Sequence, residues 1–230
     1  MKFSNHLVHG RLIKRYKRFL ADVVLDDGRK VTAHCANSGS MKSCLEEGAE
    51  VWLSPVDDPK RKTRFTWEMI RIEGDWVGIN TSHPNQLAFE WIEQGLIPRL
   101  QGLTGLKKEV QWEDSRFDLF GEDPEGPCFI EVKNVTLKEG YKALFPDAVT
   151  RRGQKHLQTL IRLKSDGTRA VMLYVVQRMD VSIFSPAREI DPEYGKALDM
   201  AVRNGVEIMV AQARVGPEQI GFHKMLPIEL

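Results

Sequence analysis

The sequence predicts a mixed α/β chain in two parts, a small β-barrel followed by a mixed sheet flanked by helices. Two observations predict it. Up to about residue 82, short apolar segments of strand length alternate with turn signals, and only one stretch reads as a helical turn. From residue 83 onward, amphipathic helical patterns alternate with strands, an order typical of a sheet with helices on its faces. Because 230 residues can bury two cores, we expect domains at residues 1–82 and 83–230.

The composition is that of an ordinary globular protein without a membrane span. Hydrophobic residues make up 42% and charged residues 28% of the chain, and the longest apolar run, Ala170–Val176, is too short to cross a bilayer. The first residues lack the apolar stretch of a secretory signal, and an odd number of cysteines, three, suits a reducing compartment. We therefore expect a cytoplasmic protein without a membrane partner.

Six predicted strands build the amino-terminal part. Asp26–Gly28 and Glu73–Asp75 are hairpin signals between consecutive strands, and Ser40–Gly48 reads as a short helical turn that a glycine closes. Short strands with one small helical insertion favour a partly open Greek-key barrel of the OB type, a fold that commonly binds single-stranded nucleic acid. The predicted strands are Leu7–Lys14, Phe19–Leu25, Lys30–His34, Glu50–Pro55, Arg64–Ile72 and Trp76–Ile79.

Basic residues are concentrated in this first part. Residues 1–18 contain six bases and no acid, and Lys60–Arg64 adds four bases in five positions. Such clusters attract phosphates through counterion release, and the aromatic side chains of Tyr16 and Phe19 among them could stack on nucleobases. The alternative is a solvated basic surface above aromatic core residues. The nucleic-acid-binding residues predicted in this part are Arg15, Lys17, Arg18 and Arg64.

Helices and strands alternate after His83–Pro84, where proline can open a helix. Leu87 and Trp91 share one face of the first predicted helix, and Gly95 ends it. Asp191 is the predicted cap of the last helix. In order, the predicted elements are helix Asn85–Gln94, strands Leu106–Trp112, Arg116–Phe120 and Phe129–Leu137, helix Arg151–Lys164, strand Ala170–Gln177, helix Pro192–Asn204 and strand Val206–Val215.

The strand Phe129–Leu137 and the one before it carry three chemically matched side chains. Glu131 and Lys133 are two residues apart on one strand and therefore point to the same face. The turn Asp123–Pro127 can fold this strand back on the preceding one and bring Asp118 beside Glu131. Two carboxylates bind a hard cation such as Mg²⁺ or Mn²⁺, and a neighbouring lysine can orient water or hold a phosphate. The alternative is a cross-strand charge pair on a solvated face.

An aspartate followed by Glu-x-Lys on the next strand resembles the signature of the PD-(D/E)xK nuclease superfamily. The order of helices and strands around it also resembles the restriction-endonuclease-like core of that superfamily. This resemblance implies a carboxylate from the first helix, for which we predict Glu90 as a further metal ligand beside Asp118 and Glu131. It also implies a supporting polar group on the strand after the second helix, for which we predict Gln177.

A further resemblance rests on five longer strings. They are Arg15–Val23, His34–Met41, Ile130–Leu137, Phe145–Leu157 and Phe184–Tyr194, and they follow one another over nearly the whole chain. These strings resemble those of a bacterial and archaeal family, the sugar fermentation stimulation protein A family. The resemblance implies an OB-like domain, a nuclease-like domain and non-specific DNA binding, with a link to the regulation of sugar (maltose) use.

Carried over to single residues, this resemblance implies a catalytic centre of Asp118, Glu131 and Lys133 with Gln177 in support. It also implies a grip on phosphate at the start of the second helix, where free backbone amides meet basic side chains. The alternative for that region is an ion-pair network that anchors the loop through Asp147. The side chains predicted to grip phosphate there are Arg151, Arg152, Lys155 and His156.

Two functions from different classes stay open. One is a protein that binds DNA, or RNA, without reading bases, and the other is a magnesium- or manganese-dependent phosphodiesterase. The chain shows no helix-turn-helix pattern, which disfavours a sequence-specific regulator. It has no Cys-x-x-Cys pair either, so His34, Cys35 and Cys44 do not indicate a zinc site. A homodimer is also left open by the residues.

Overall fold

Six strands near the amino terminus form a barrel at the positions that the turn signals predict. In this computed structural model, which describes all residues from Met1 to Leu230, five of them close on themselves because the third strand pairs with the fifth. The sixth strand extends the sheet beyond the fifth. The strands are β1 (Val8–Tyr16), β2 (Leu20–Leu25), β3 (Lys30–His34), β4 (Glu50–Pro55), β5 (Phe65–Ile72) and β6 (Asp75–Gly78), in the order β3-β2-β1-β4-β5-β6.

A second, six-stranded mixed sheet follows the barrel. Its order is β15-β14-β12-β9-β8-β7, and β12 runs parallel to both of its neighbours while the other pairs are antiparallel. Three helices accompany it: α1 (His83–Glu93), α2 (Arg151–Ser165) and α3 (Pro192–Arg203). The strands are β7 (Thr104–Trp112), β8 (Ser115–Asp123), β9 (Gly126–Val135), β12 (Arg169–Val176), β14 (Glu207–Val215) and β15 (Ile220–Met225).

The helices cover both faces of this sheet, as the sequence predicts. On one face Leu87 and Trp91 of α1 join a core with Ile130 and Val132 of β9. On the other face α2 and α3 pack against the alternate side chains of the same strands. The central strand β12 is buried along nearly its whole length, which is expected of a parallel strand covered on both faces.

Three short strands form a small separate sheet that the sequence pattern does not predict. They are β10 (Leu137–Glu139), β11 (Lys142–Phe145) and β13 (Ile183–Pro186). Strand β15 is also absent from the prediction. Ser40–Gly48 contains turns but no helix, so the prediction of a helical turn there is wrong. Its residues are held instead by contacts with the second sheet, such as the bond from Ser43 Oγ to the carbonyl of Thr136.

Barrel and second sheet are joined by buried polar contacts as well as by apolar packing. The guanidinium of Arg178, which is fully buried, donates to the carbonyls of Ser43 and Thr136 at 3.2 and 2.7 Å. The amide of Gly78 in β6 donates to the carbonyl of Gln177 at 2.9 Å. No helix combines the length and apolar character that a membrane span requires.

Candidate active site

The hairpin of β8 and β9 brings Asp118 and Glu131 together. Asp123 pairs with Gly126 and Leu119 with Ile130, and just beyond this ladder Asp118 lies close enough to Glu131 for the charge of Glu131 to act on it. The tight turn is fixed by Asp123, whose carboxylate accepts a bond from the amide of Glu125 at 2.8 Å. The turn predicted at residues 123–127 is therefore confirmed. The two carboxylates contact different helices, Asp118 through Asn85 of α1 and Glu131 through His156 of α2.

Glu131 lies in a buried cluster with Lys133 and His156. Glu131 is only 3% exposed. Its Oε1 lies 2.5 Å from the ammonium of Lys133 and within hydrogen-bond distance of His156 Nδ1. Burial would raise the pKa of Glu131, but the bond with His156 and the charge of Lys133 outweigh burial and lower it. Glu131 and Lys133 are thus a charge pair inside the protein and not on a solvated face.

Asp118 has the opposite electrostatic environment. Its Oδ1 accepts a bond from Asn85 of α1 at 2.7 Å, and its Oδ2 accepts one from the amide of Val132 at 2.8 Å. Burial and the neighbouring charge of Glu131 raise the pKa of Asp118 despite these two bonds. Two adjacent carboxylates whose pKa values move apart are typical of catalytic sites, although structural pairs show the same effect.

The carboxylates of Asp118 and Glu131 are suitable ligands for a hard divalent cation, but they do not form a complete coordination shell. No group of three or more His, Cys, Asp or Glu side chains is arranged to hold a metal ion. Mg²⁺ needs no such cage, because it commonly binds one or two carboxylates and completes its shell with water and substrate phosphate. Asp118 and Glu131 are the residues that would hold it here.

Glu90, the third predicted ligand, makes other contacts. Its carboxylate pairs with the amino terminus of Met1 at 2.8 Å and accepts a bond from Gln86 at 2.6 Å. Helix α1 instead reaches Asp118 through Asn85, five residues before Glu90. A role of Glu90 as a metal ligand stays a prediction that none of these contacts supports.

A pocket of about 250 Å³ opens beside Glu131. Basic side chains of α2 line it: Arg152 donates to His156 Nε2 at 3.3 Å, and Lys155 pairs with Asp114 at 3.2 Å. Arg151 is exposed at the start of the helix and forms no ion pair. None of the four basic side chains of this region pairs with Asp147, which accepts bonds from Ser40 instead, so the alternative network is not found. The pocket combines a buried acid with exposed cations, which suits a phosphate approaching from solvent.

Gln177 contacts the site indirectly, through Asn134. Its side chain is fully buried, and Nε2 donates to Asn134 Oδ1 at 2.7 Å and to the carbonyl of Asn80 at 3.3 Å. It therefore contacts the residue after Lys133 and does not line the pocket beside Glu131. A direct catalytic role for Gln177 stays a prediction.

The predicted basic residues of the barrel differ in their contacts. Arg15 is hydrogen-bonded within the protein, because it donates to the carbonyls of Asn37 and Gly39 at 2.8 and 3.0 Å. Lys17 and Arg18 are exposed in the turn between β1 and β2 and form no ion pair, and Phe19 beside them is 49% exposed. Arg64 lies on another loop, where it donates to the carbonyl of Asp58.

The sequence does not predict two partners in the site. His156 was expected to grip phosphate, but its bond to Glu131 joins residues 25 positions apart that no spacing rule connects. Its place four residues after Arg152 on one face of α2 is the only local signal. Asn85, which holds Asp118, lies in the first turn of α1 and has no signal of its own.

Family models match both parts of the chain. Residues 82–219 match the model described as "Sugar fermentation stimulation protein RE domain", and residues 13–79 match "SfsA N-terminal OB domain". A "Sugar fermentation stimulation protein homolog" of Geobacter metallireducens is 52% identical over 232 residues, which cover 100% of both chains. The chain belongs to the sugar fermentation stimulation family.

Other members of this family agree in length and fold. A homolog of Pelobacter propionicus is 51% identical and covers 97% of this chain and 98% of its own. A solved structure described as "The structure of Pyrococcus Furiosus SfsA in complex with Ca2+" superposes with a TM-score of 0.90 at 29% identity and covers 100% of this chain and 98% of its own. The predicted fold class, an OB-like barrel followed by a mixed sheet with helices, is confirmed.

Proposed function

We propose that this member of the sugar fermentation stimulation family binds the backbone of nucleic acid, DNA or RNA, without reading base sequence. One observation carries the proposal: exposed bases lie both in the β1–β2 turn and at the start of α2, and hydrogen bonds join these two regions. Arg15 holds the loop at Asn37–Gly39, and the amide of the next residue, Ser40, donates to Asp147 at 2.9 Å, just before α2. These contacts link the β1–β2 turn to the start of α2.

The exposed bases of the β1–β2 turn and of the start of α2 are available to phosphates. Lys17, Arg18 and Arg151 form no ion pair within the protein, and Arg152 and Lys155 stand at the pocket itself. Cations of this kind bind the sugar-phosphate backbone by releasing counterions, and no helix-turn-helix is present to read bases. Occupancy of DNA without sequence preference would be the route by which such a protein affects sugar (maltose) use.

A second candidate function, divalent-cation-dependent hydrolysis of a phosphodiester, is favoured by the adjacent carboxylates of Asp118 and Glu131 with Lys133 beside them. The Pyrococcus furiosus relative was solved with Ca²⁺, which supports a divalent cation, and for catalysis we propose Mg²⁺ or Mn²⁺. The bound cation would supply charge for the phosphate and a more acidic water. Lys133 would hold the phosphate, and His156, whose Nδ1 is bonded to Glu131, would orient that carboxylate.

Binding is tested with labelled oligothymidylate and duplex DNA across a salt series. The triple variant Lys17→Gln, Arg18→Gln and Arg151→Gln should weaken binding about tenfold or more and flatten the logarithmic salt slope by about 2. The matched control removes three other exposed, unpaired bases: Lys30→Gln, Lys224→Gln and Arg203→Gln. Lys30 lies at the opposite end of β2 from the β1–β2 turn. Equal effects of the two triples would contradict a defined binding surface.

Cleavage is read from the same samples after Mg²⁺ or Mn²⁺ is added. Glu131→Gln should abolish cutting while backbone binding stays within about twofold, because Glu131 is buried and contributes no cation to the surface. If the intact chain binds DNA and RNA but cuts neither with either cation, the binding function stands alone.

A further inference from the structure

A second cavity, of about 320 Å³, lies where the barrel meets the second sheet. The loop after β3, at residues 37–39, forms one wall. Asn134 at the end of β9 and Asp147 before α2 also line the cavity. Crevices beyond the carboxyl ends of parallel strands are where open α/β sheets usually bind ligands, and β9 and β12 end here.

The loop wall of this cavity is held rigidly. Arg15 donates to the carbonyls of Asn37 and Gly39, and Asn37 Oδ1 accepts a bond from the amide of Gly39 at 2.8 Å. Asp147 Oδ2 accepts a bond from the amide of Ser40 at 2.9 Å. A Cβ atom at Gly39 would overlap that same oxygen, so a larger residue there would displace the carboxylate of Asp147. The cavity is therefore preformed, which lowers the entropic cost of binding.

Several polar groups of the lining make no hydrogen bond within the protein. They include Asp147 Oδ1, the amide nitrogens of Asn37 and Asn134 and the hydroxyl of Ser38. No lysine or arginine lines the cavity, and Asp147 is its one charged residue. A phosphate would meet only negative charge here, so the group that binds is one that offers N–H or O–H donors to Asp147 Oδ1.

We infer that this cavity binds the base of an unpaired guanine nucleotide, an inference that rests on the proposed binding of a nucleic-acid strand. Guanine presents two adjacent N–H donors beside one carbonyl acceptor. Oδ1 of Asp147, which is free, can accept from these donors, and the amide NH₂ of Asn134 can donate to the carbonyl. Adenine and cytosine place a ring acceptor beside their amino group, and that acceptor would face the carboxylate.

The position of the cavity fits a strand that runs past the candidate active site. Asn134 directly follows Lys133, and Asp147 lies four residues before Arg151. A phosphate near Lys133 or Arg151 and a base in the cavity can therefore belong to neighbouring parts of one nucleotide strand. A base can reach the cavity only when it is unpaired, so the substrate class is single-stranded or locally opened nucleic acid.

Calorimetry of the intact chain with free nucleosides tests the inference. Guanosine should bind about tenfold more tightly than inosine, which lacks the amino group, and more tightly still than adenosine. Asp147→Asn should remove this preference, and Ser38→Trp, which fills the cavity from an exposed position, should abolish binding. Asp57→Asn removes an exposed carboxylate without ion-pair or hydrogen-bond partners and should change nothing.

Failure of this inference is distinguishable from failure of the proposed function. Guanosine carries no phosphate, whereas oligothymidylate binding needs no guanine and depends on Lys17, Arg18 and Arg151. Equal affinities for guanosine and adenosine would overturn the assignment, as would binding of a free hexose in place of guanosine. Thermal melts of the three variants show which remain folded, and either cavity variant suffices for the comparison.

Discussion

At the scale of single residues, Gly78 of β6 is closely constrained by the second sheet. A Cβ atom there would lie 2.6 Å from Gln177 Oε1 and 3.2 Å from Gln177 Cβ. Gln177 cannot move away freely, because it is fully buried and its Nε2 is held by Asn134. Because Gly78 has no side chain, the barrel and the second sheet can approach each other closely. Its backbone is not in the left-handed region, so space and not backbone conformation requires glycine here.

Gly78→Ala should therefore destabilise the protein by about 1–3 kcal/mol through overpacking. Urea unfolding followed by circular dichroism measures the change. Gly221→Ala is the matched control, since a Cβ at Gly221 of β15 meets nothing within 4 Å and should shift stability by less than about 0.5 kcal/mol. Equal stabilities of the two variants would show that the junction yields at Gly78.

The sequence could predict which acids converge, but not all that surrounds them. Alternation along a strand was enough to place Glu131 and Lys133 on one face, and the turn was enough to bring Asp118 to Glu131. The helix pattern predicts Glu90 as a further ligand, and this stays a prediction that its contacts do not support. Glu90 has the right spacing, but the amino terminus of Met1 takes it, a contact across 89 positions that no local rule contains.

At the scale of elements, helix α2 positions the basic side chains around the pocket beside Glu131. Thr150 caps it, because its hydroxyl accepts a bond from the amide of Gly153 at 3.0 Å. The first turn that this cap fixes carries Arg151 and Arg152, and the next turn carries Lys155 and His156. Fraying of the helix start would therefore displace bases of the proposed nucleic-acid surface.

Thr150→Ala should lower the free energy of unfolding by about 1 kcal/mol, the usual effect of losing a cap, and weaken binding of oligothymidylate. Thr150→Ser keeps the hydroxyl and should restore both properties to near the original values. Chemical denaturation and the same binding assay give the two readouts. A loss that serine does not rescue would mean that the methyl group of Thr150, packed near Gly153, matters more than the cap.

Elements with strong periodicity could be predicted closely, whereas short ones could not. The prediction of α2 at Arg151–Lys164 differs from the structure by one residue, because its apolar stripe and ends are all marked in the sequence. Strands β10, β11 and β13 have only three or four residues, too few for alternation to show. Strand β15 is mostly half-exposed, so its pattern lacks a clear apolar face.

At the scale of the whole molecule, Asp180 holds the two parts of the chain together. It binds Arg178 at 2.7 Å and Lys138 at 2.7 Å. Each of these cations also reaches the barrel side: Arg178 donates to the carbonyl of Ser43, and Lys138 pairs with Glu73 in the β5–β6 turn. These contacts join residues as far as 135 positions apart, so sequence patterns could not predict them. The division at residue 82 likewise stays a prediction.

The pKa of Asp180 gives this junction a definite pH dependence. Burial would raise it, but the bonds with Arg178 and Lys138 outweigh burial and lower the pKa from 3.8 to about 2. A carboxyl whose folded pKa is depressed contributes stability above its unfolded pKa and loses it as pH falls through the folded pKa. The contribution of Asp180 is therefore complete near neutral pH and declines between about pH 4 and pH 2.

Asp180→Asn should consequently destabilise the protein by about 1–2 kcal/mol at pH 7, a value reduced from the full pKa shift because solvent screens part of the interaction. The gap between this variant and the original chain should narrow as unfolding is measured from pH 5 down to pH 3. Asp57→Asn, which removes an exposed carboxylate without partners, should show no such gap. If the difference in unfolding free energy stays constant with pH, the destabilisation comes from altered packing of Arg178 and not from the charge of Asp180.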